Sequence, residues 1–338
     1  MSRREAMLWE PAGDGRAACR LCAHRCVVAP GGRGVCAVRE NRAGRLETLV
    51  YGEAVAAHVD PIEKKPLYHF LPGSKALSLA AAGCNFRCGF CQNWQISQAP
   101  RRESGAIAGE PFPPEAVVRA ALDSGCRSVS YTYTEPTVFF EYAYDTARLA
   151  RAAGLLNNFV TNGYLTAEAL ETVAPVLDAA NVDLKAFRDE TYRKVCGARL
   201  EPVLETVRLM RKLGIWVEVT TLVVPGLNDG TDELASIAAF IASVDPETPW
   251  HISRYHPDFE YDQAPPTPAA TLRAAAAIGR REGLKHVYVG NVPGEGEDTL
   301  CASCGAVLIR RRDFAVVADS LRGSACPECG TVLAGRFA

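Results

Sequence analysis

Short apolar runs alternate with longer amphipathic stretches over most of the chain between residues 76 and 289. The runs predict six strands and a seventh, shorter one, at 76–81, 127–133, 156–161, 181–185, 215–223, 250–255 and 286–289. The amphipathic stretches predict helices that separate or follow the strands, at 113–125, 137–154, 165–177, 201–213, 232–244 and 268–283. Because repeated β-then-α units force parallel strands with right-handed crossovers, the sequence predicts an α/β fold, an open and partial (βα)6 TIM-like barrel. Chemistry in such a barrel lies at the C-terminal ends of the strands.

Two segments flank the predicted barrel. Residues 1–72 are predicted to be an N-terminal cysteine-rich, metal-binding segment, residues 73–298 the barrel, and residues 299–338 a zinc-ribbon-like module. The chain has 338 residues, of which 48% are hydrophobic, so it can bury a sizeable core.

The charge balance and the first residues limit the partners and the location that we expect. The chain has 37 basic and 39 acidic residues and a formal net charge of −2, which indicates no polyanionic partner such as nucleic acid or an anionic membrane. The first residues contain no apolar signal region, and no stretch reaches the ~18 apolar residues of a membrane span. We therefore expect a cytoplasmic protein with no nucleic-acid or membrane partner.

Thirteen cysteines fall into three tight groups, with Cys126 and Cys196 left over. The groups are Cys19/Cys22/Cys26/Cys36, Cys84/Cys88/Cys91 and Cys301/Cys304/Cys326/Cys329. Since the cytosol keeps thiols reduced, tight groups in a chain without a signal peptide indicate metal ligands rather than disulfides. The sequence predicts three metal centres.

The central group follows the first predicted strand directly, in the string AAAGCNFRCGFCQNW. Three thiolates can bind three irons of a [4Fe-4S] cubane and leave the fourth iron open to a chelating molecule, such as the amino and carboxylate groups of S-adenosylmethionine (SAM). One electron into the bound sulfonium would release a 5′-deoxyadenosyl radical. The alternatives are buried cysteines or a zinc knuckle, but zinc would need a fourth thiolate or histidine, and none besides the three cysteines occurs between Asn85 and Gly125.

The string CNFRCGFCQN resembles the signature of the radical SAM superfamily, and further motifs extend the resemblance over nearly the whole chain. In order they are CRLCAHRC, GVCAVREN, DPIEKKPLYHFLPG, YTYTEP, TNGY, VDLKAF, TTLVVPGLND, PWHISRYHPD, VYVGNVPG, CASCG and CPECG. This set is similar to the AmmeMemoRadiSam-system radical SAM enzymes, in the branch related to pyruvate formate-lyase activating enzyme. The resemblance implies a [4Fe-4S] cluster and SAM as cofactors, with Cys84, Cys88 and Cys91 as catalytic cluster ligands.

The resemblance also implies which residues contact the cofactors. The candidates are Phe90, Glu135, Asn162, Asp183, Lys185, Val224, Pro225 and His256. Glu135 matches an acidic residue near the SAM amino group, and Asn162 belongs to a TNG turn that ends the next strand. The glycine pair that usually precedes the acidic residue is replaced here by Tyr133 and Thr134.

The remaining candidates follow later strands. Val224 and Pro225 match an element on the adenine side of SAM, and His256 matches a histidine close to the ribose. Asp183 and Lys185 match an Asp-x-Lys pair that lines the SAM site. Residues two apart on a strand share a face, so both side chains should point into the barrel, where opposite charges need each other or a charged ligand. A purely structural ion pair is the alternative.

The flanking cysteine groups predict two further metal sites. Cys19, Cys22, Cys26 and Cys36, with His24 among them, favour zinc, although four thiolates also suit a second iron–sulfur cluster. A third interpretation is that these four cysteines are buried and bind no metal.

The C-terminal pairs Cys301/Cys304 and Cys326/Cys329, each followed by glycine, form a zinc-ribbon pattern. Zinc is the expected metal there, and cysteines without a metal are the alternative. The nearby run Arg310–Arg311–Arg312 is either a patch that binds RNA or an acidic partner, or a solvated face. Cys196 lies near the mouth of the substrate site or is a small buried apolar residue.

Three functions are compatible with these motifs. The first is a radical SAM enzyme that acts on a small molecule or peptide, with AMMECR-type and Memo-type proteins as partners and a flavodoxin- or ferredoxin-like donor of low-potential electrons. The second is an activase that abstracts hydrogen from a glycine of a partner enzyme. The third is a non-catalytic metal-binding scaffold.

Overall fold

The computed structural model describes residues 4–102, 105–292, 294 and 296–337. Residues 1–3 of the predicted N-terminal segment and residue 338 of the predicted ribbon lie outside the described residues. Among those described, no helix combines the length and the apolar character needed to cross a bilayer.

Nineteen strands occur in the described residues, and most of those outside the middle of the chain are short. The N-terminal strands are β1 (Arg4–Glu5), β2 (Trp9–Pro11), β3 (Ala17–Cys19), β4 (Val27–Val28), β5 (Arg39–Arg42), β6 (Arg45–Thr48) and β7 (Glu53–Ala54). The strands of the middle region are β8 (Ala56–Pro61), β9 (Lys75–Ala80), β10 (Glu110–Pro111), β11 (Ser128–Tyr131), β12 (Leu156–Thr161), β13 (Ala179–Asp183), β14 (Trp216–Val223), β15 (Trp250–Arg254) and β16 (Val287–Gly290). The C-terminal strands are β17 (Thr299–Leu300), β18 (Val307–Arg312) and β19 (Ala315–Asp319).

Helices connect the strands of the middle region. They are α1 (Trp94–Ser97), α2 (Ala99–Arg102), α3 (Pro114–Asp123), α4 (Phe140–Ala152), α5 (Ala167–Val173), α6 (Asp189–Thr191), α7 (Glu201–Lys212), α8 (Thr231–Val244) and α9 (Ala269–Arg281). Short 3-10 turns lie at Ile62–Lys64, Pro136–Phe139 and Ala174–Val176, and a π-helical turn lies at Tyr192–Cys196.

One eight-stranded sheet forms the centre of the molecule, in the order β16-β15-β14-β13-β12-β11-β9-β8. All neighbours from β9 to β16 run parallel, as right-handed β-then-α units require. The two edge strands, β8 and β16, are not paired with each other in the described ranges, so the sheet stays open. The predicted α/β fold with an open parallel barrel is confirmed.

The structure differs from the prediction at one edge of the sheet. Strand β8 belongs to the segment that was predicted to lie outside the barrel, yet it pairs antiparallel with β9 over its whole length. As an edge strand it has four exposed residues out of six and only one buried residue, Asp60, so no apolar pattern marks it as part of the sheet.

Residues 62–71 close the N-terminal end of the sheet. Ile62, Leu67 and Phe70 are fully buried and pack in one cluster with Ala179 and Trp216 at the starts of β13 and β14. The candidate site lies at the opposite end of the sheet, where the parallel strands finish.

A buried arginine docks the ribbon module on residues 62–71. The Arg311 side chain is fully buried, and its Nε lies 3.5 Å from Glu63 Oε1. Its Nη2 donates to the carbonyl of Tyr68 over 2.7 Å, and its Nη1 donates to Thr299 Oγ1 over 2.7 Å. The guanidinium also lies 4.2 Å from the centre of the Tyr68 ring. Arg311 is therefore a structural residue rather than part of an exposed basic patch.

We predict that Arg311→Met lowers the free energy of unfolding by about 3–5 kcal/mol, because it leaves the Glu63 carboxylate buried without its cation. Arg312→Met is the matched control, since Arg312 follows directly and is exposed. Denaturant unfolding of both variants checks the prediction, and equal losses for the two variants would contradict it.

Candidate active site

A cavity of about 300 Å³ opens at the C-terminal ends of the central strands. Cys84, Cys88 and Cys91 line it from the loop that follows β9. Residues from β12 to β15 or just after these strands line the opposite sides, as the parallel topology predicts.

Arg101 holds the cysteine loop in place. Its Nη1 donates to the carbonyl of Phe86 over 2.9 Å, and its Nη2 donates to the carbonyl of Cys84. Its Nε and Nη2 also donate to the carbonyl of Val35, over 2.9 and 2.7 Å. One half-buried guanidinium thus fixes the loop against the N-terminal segment.

The sulfur atoms of this loop accept polar contacts from neighbouring donors. The amide of Phe86 donates to Cys84 Sγ over 3.3 Å, and Asn162 Nδ2 lies 3.8 Å from the same sulfur. Ser97 Oγ lies 3.3 Å from Cys91 Sγ. Burial and the nearby Glu135 carboxylate raise the pKa of the Cys84 thiol far above its usual range. Three neighbouring thiols, one buried and two half-buried, become thiolates together when they bind a cation, so this set of donors fits a metal cluster.

Glu135 is the most completely bonded acid at the cavity. Its Oε1 accepts from Thr137 N over 3.0 Å, from Thr137 Oγ1, and from Thr161 Oγ1 over 2.7 Å, while its Oε2 accepts from Asn162 N over 2.8 Å. Burial nevertheless raises the pKa of Glu135. Because Oε2 accepts only this one bond, it has a lone pair free for a positively charged group in the cavity.

Asp183 and Lys185 form an ion pair in the cavity wall. Lys185 Nζ lies 2.9 Å from Asp183 Oδ2, and both residues line the cavity. Burial alone would lower the pKa of Lys185, but Asp183 and the nearby Cys88 and Cys196 sulfurs raise it well above its usual value. Strand β13 ends at Asp183, two residues before its predicted end, so Lys185 reaches the cavity from the turn after the strand.

Five of the eight predicted SAM-contacting residues line one cavity, namely Phe90, Glu135, Asn162, Asp183 and Lys185. Val224, Pro225 and His256 do not line it. They lie just beyond the ends of β14 and β15, where Val224 is buried and His256 is exposed. Their predicted contacts with adenine and ribose stay predictions.

Two lysines and a tyrosine at the cavity were not predicted as site residues from the sequence. Lys64 and Lys65 both line it, and they lie 2.9 and 2.7 Å from the two carboxylate oxygens of Asp60. The hydroxyl of Tyr133 donates to the same carboxylate, and its ring lies 4.4 Å from Lys65 Nζ. The DPIEKK motif contains the acid and both lysines, but nothing local indicates that its lysines line the cavity.

Tyr133 also has a strained backbone. Its φ is +62°, the left-handed region that glycine enters freely and a bulky side chain does not. This is one of the two positions where the resembling family has glycine. The hydrogen bond to Asp60 and the contact with Lys65 stabilise the Tyr133 side chain and so offset this backbone strain.

Two further polar residues face the cavity from later strands. Thr220 Oγ1 is buried and has no hydrogen-bond partner among the described residues, so a molecule in the cavity would be able to satisfy it. Ser253 lines the cavity from β15, which puts residues 251 and 253 on the inward face of that strand. His251, one layer below, is bound to Glu218 Oε2 over 2.6 Å.

Cys196 lies beside the central cysteines. It is fully buried in the π-helical turn, and its carbonyl accepts from Arg87 N over 2.8 Å. Its thiol contacts that of Cys88 and, together with burial, raises the pKa of the Cys88 thiol. Cys196 is therefore a buried residue, as one interpretation has it, and it also adjoins the cysteines of the site, as the other has it.

The four cysteines of the ribbon converge on one point. Cys301 Sγ lies 3.6 Å from Cys329 Sγ, and Cys304 Sγ lies 3.7 Å from Cys326 Sγ. All four sulfurs lie within 4.8 Å of one another. Because zinc binds thiolates at about 2.3 Å in a tetrahedron, this spacing fits one zinc ion.

Arg310 and Arg312, unlike Arg311, are exposed. Both line a cleft of about 410 Å³ between the ribbon and the last strand of the sheet, away from Cys84 and its partners. Arg310 Nε lies 3.8 Å from Asp298 Oδ2. The triple-arginine run is thus one buried anchor between two solvated side chains.

We predict that the paired change Cys301→Ser and Cys304→Ser removes about one zinc per chain, because two of four ligands of a tetrahedral site are lost. Elemental analysis of the full-length protein measures it, with Cys126→Ser as the control for a cysteine outside the groups. Unchanged zinc content in the paired variant would contradict the zinc assignment.

Comparisons with known proteins agree with this geometry. A family model described as Radical SAM superfamily matches residues 79–240. The uncharacterized protein MJ0808 of Methanocaldococcus jannaschii is 48% identical over 331 residues, which cover 97% of this chain and 98% of that protein. The pyruvate formate-lyase-activating enzyme of Streptococcus mutans is 22% identical over 183 residues, which cover 52% of this chain and 68% of that enzyme.

A solved structure supports the fold. The radical SAM methyltransferase from Sphaerobacter thermophilus superposes with a TM-score of 0.52 and 14% identity, over 70% of this chain and 71% of that chain. At this identity the likeness concerns the fold alone.

Proposed function

The chain belongs to the radical SAM superfamily, and from that premise we propose that it acts on a small molecule or a peptide after reductive cleavage of SAM. Cys84, Cys88 and Cys91 would hold the [4Fe-4S] cluster that this reaction needs. A cluster bound there would supply the electron for reductive cleavage of SAM, which gives methionine and a 5′-deoxyadenosyl radical able to abstract hydrogen from a substrate.

One observation carries the proposal. The three cysteines and five of the eight predicted SAM-contacting residues, which lie on separate strand ends far apart in sequence, line the same cavity. A non-catalytic metal scaffold would give no reason for an acid, an amide and an ion pair to converge on those thiols.

The chain's own residues have distinct roles in this proposal. Glu135 accepts a hydrogen bond from the SAM ammonium through its free lone pair. Asp183 and Lys185 orient the polar part of SAM and keep their charges neutralised in the buried wall. Phe90 covers one side of the cavity as an apolar surface and helps to exclude water.

We further propose that the chain is the radical SAM member of an AmmeMemoRadiSam system. The ordered motifs from CRLCAHRC to CPECG support this assignment, as does the pairing of a cysteine-rich N-terminal segment with a ribbon. AMMECR-type and Memo-type proteins would then be functional partners. A flavodoxin- or ferredoxin-like protein would supply the low-potential electron.

We predict that Cys84→Ala, Cys88→Ala or Cys91→Ala abolishes formation of 5′-deoxyadenosine, because each change removes a cluster ligand. The assay is anaerobic reconstitution with SAM and a chemical reductant. Cys126→Ala is the control and should retain parental activity, since Cys126 lies outside the three cysteine groups. Parental rates in any of the three variants would overturn the assignment of the cluster.

We predict that Glu135→Gln weakens SAM binding by about 1–3 kcal/mol, because the charge-assisted bond to the ammonium is lost. Equilibrium dialysis with reconstituted protein measures the affinity, and iron content and thermal stability are recorded on the same samples. Glu115→Gln, an exposed acid on α3, is the matched control. An unchanged affinity would place the SAM ammonium elsewhere while leaving the cysteine assignment intact.

A further inference from the structure

The four N-terminal cysteines surround a second small cavity. Cys19, Cys22, Cys26 and Cys36 line an enclosed space of about 20 Å³ together with Arg39. They come from β3 and from the turns around β4, so only the folded segment brings them together. The proposed SAM site makes no use of them.

The spacing of these sulfurs differs from that of the ribbon. A zinc ion with bonds of about 2.3 Å cannot bind two sulfurs that are more than about 4.6 Å apart. The four ribbon sulfurs all lie within 4.8 Å of one another, whereas no three of the described N-terminal sulfurs do.

The central cysteines provide a comparison within the same molecule. Among the described residues, the sulfurs of Cys84, Cys88 and Cys91 do not all lie within 4.8 Å of one another either. A cubane separates its thiolates more widely than a single ion does, because each thiolate binds a different iron. The N-terminal group thus has the open spacing of a cluster site and not the tight spacing of a zinc site.

The surroundings of the N-terminal sulfurs suit an anionic cluster. Arg39 Nη1 donates to Cys19 Sγ over 3.3 Å, and the amide of Val35 donates to Cys26 Sγ over 3.4 Å. The Arg39 side chain is 2% exposed and also pairs with Glu141. A Cβ added to Gly34 would lie 3.6 Å from Cys26 Sγ and 4.0 Å from Cys36 Sγ, so the backbone passes close to both sulfurs.

His24 is turned away from this cavity. Its Nε2 lies 2.8 Å from the carbonyl oxygen of Asn85, in the loop of the central cysteines. The site therefore has four thiol ligands, without histidine. Cys36 adjoins the same loop, because a Cβ added to Gly83 would lie 3.1 Å from the Cys36 carbonyl oxygen.

We infer that Cys19, Cys22, Cys26 and Cys36 hold a second [4Fe-4S] cluster, fully ligated by protein and located beside the first. The sequence pattern alone favoured zinc, since the number of ligands suits both metals. The sulfur spacing distinguishes them, because a cubane holds its thiolates farther apart than a single ion does. The inference concerns a different site from the proposed SAM cluster and is tested separately from it.

The experiment counts metals in full-length protein reconstituted anaerobically with iron and sulfide. The parent should contain about eight irons per chain, and the triple variant Cys84→Ala/Cys88→Ala/Cys91→Ala should retain about four. The double variant Cys19→Ser/Cys36→Ser should also lose about half of the parental iron. Mössbauer spectroscopy of the triple variant should show the remaining iron as a cubane, and the paired ribbon change Cys301→Ser/Cys304→Ser serves as the control that leaves the iron unchanged.

Two outcomes would overturn the inference. One is a triple variant with no iron and about one extra zinc beyond that of the ribbon. The other is a fully reconstituted parent that contains only about four irons, all of which are lost in the triple variant. The iron count of the parent does not depend on whether any variant folds. If parent and triple variant both hold about four irons as a cubane, the second cluster stands and the proposed SAM cluster fails.

Discussion

The carboxylate of Glu218 is the contact on which the closed end of the sheet depends. It accepts from the amides of Tyr68 and His69 over 2.9 and 2.8 Å, from Trp216 Nε1 over 3.1 Å, and from His251 Nε2 over 2.6 Å. Burial alone would raise the pKa of Glu218, but His251 and these donors lower it below its usual value. A buried carboxylate with four donors stays charged, and it ties residues 62–71 across the strand starts.

The charged side chains at the cavity are already paired with one another. Asp183 binds Lys185, and Asp60 binds Lys65, so a molecule that enters the cavity has to compete with an existing partner for each of these charges. Glu135 is different because its donors are amides and hydroxyls rather than a cation. Because burial raises the pKa of Glu135, a cationic group in the cavity would favour the charged form of this carboxylate.

The three cysteine groups show that ligand number and ligand spacing are separate properties. The N-terminal and C-terminal groups both have four cysteines, and their sequence intervals alone suit zinc or iron. In the folded chain the ribbon sulfurs pack to 3.6 and 3.7 Å in pairs, while the N-terminal sulfurs stay apart around a cavity. Backbone paths decide this difference, since they set where each thiol points.

The sequence by itself determined the order of the parallel strands and of the longer helices between them, because apolar periodicity and turn residues act locally. The strand at 156–161 matches the structure at both ends, and the cysteine motif lies after the first parallel strand as predicted. Only the tertiary structure decided that β8 joins the sheet, that Lys64 and Lys65 line the cavity, and that Arg311 is buried while its neighbours are not. Each of these depends on contacts between residues far apart in the chain, and the free energy of such contacts has no signature in a local pattern.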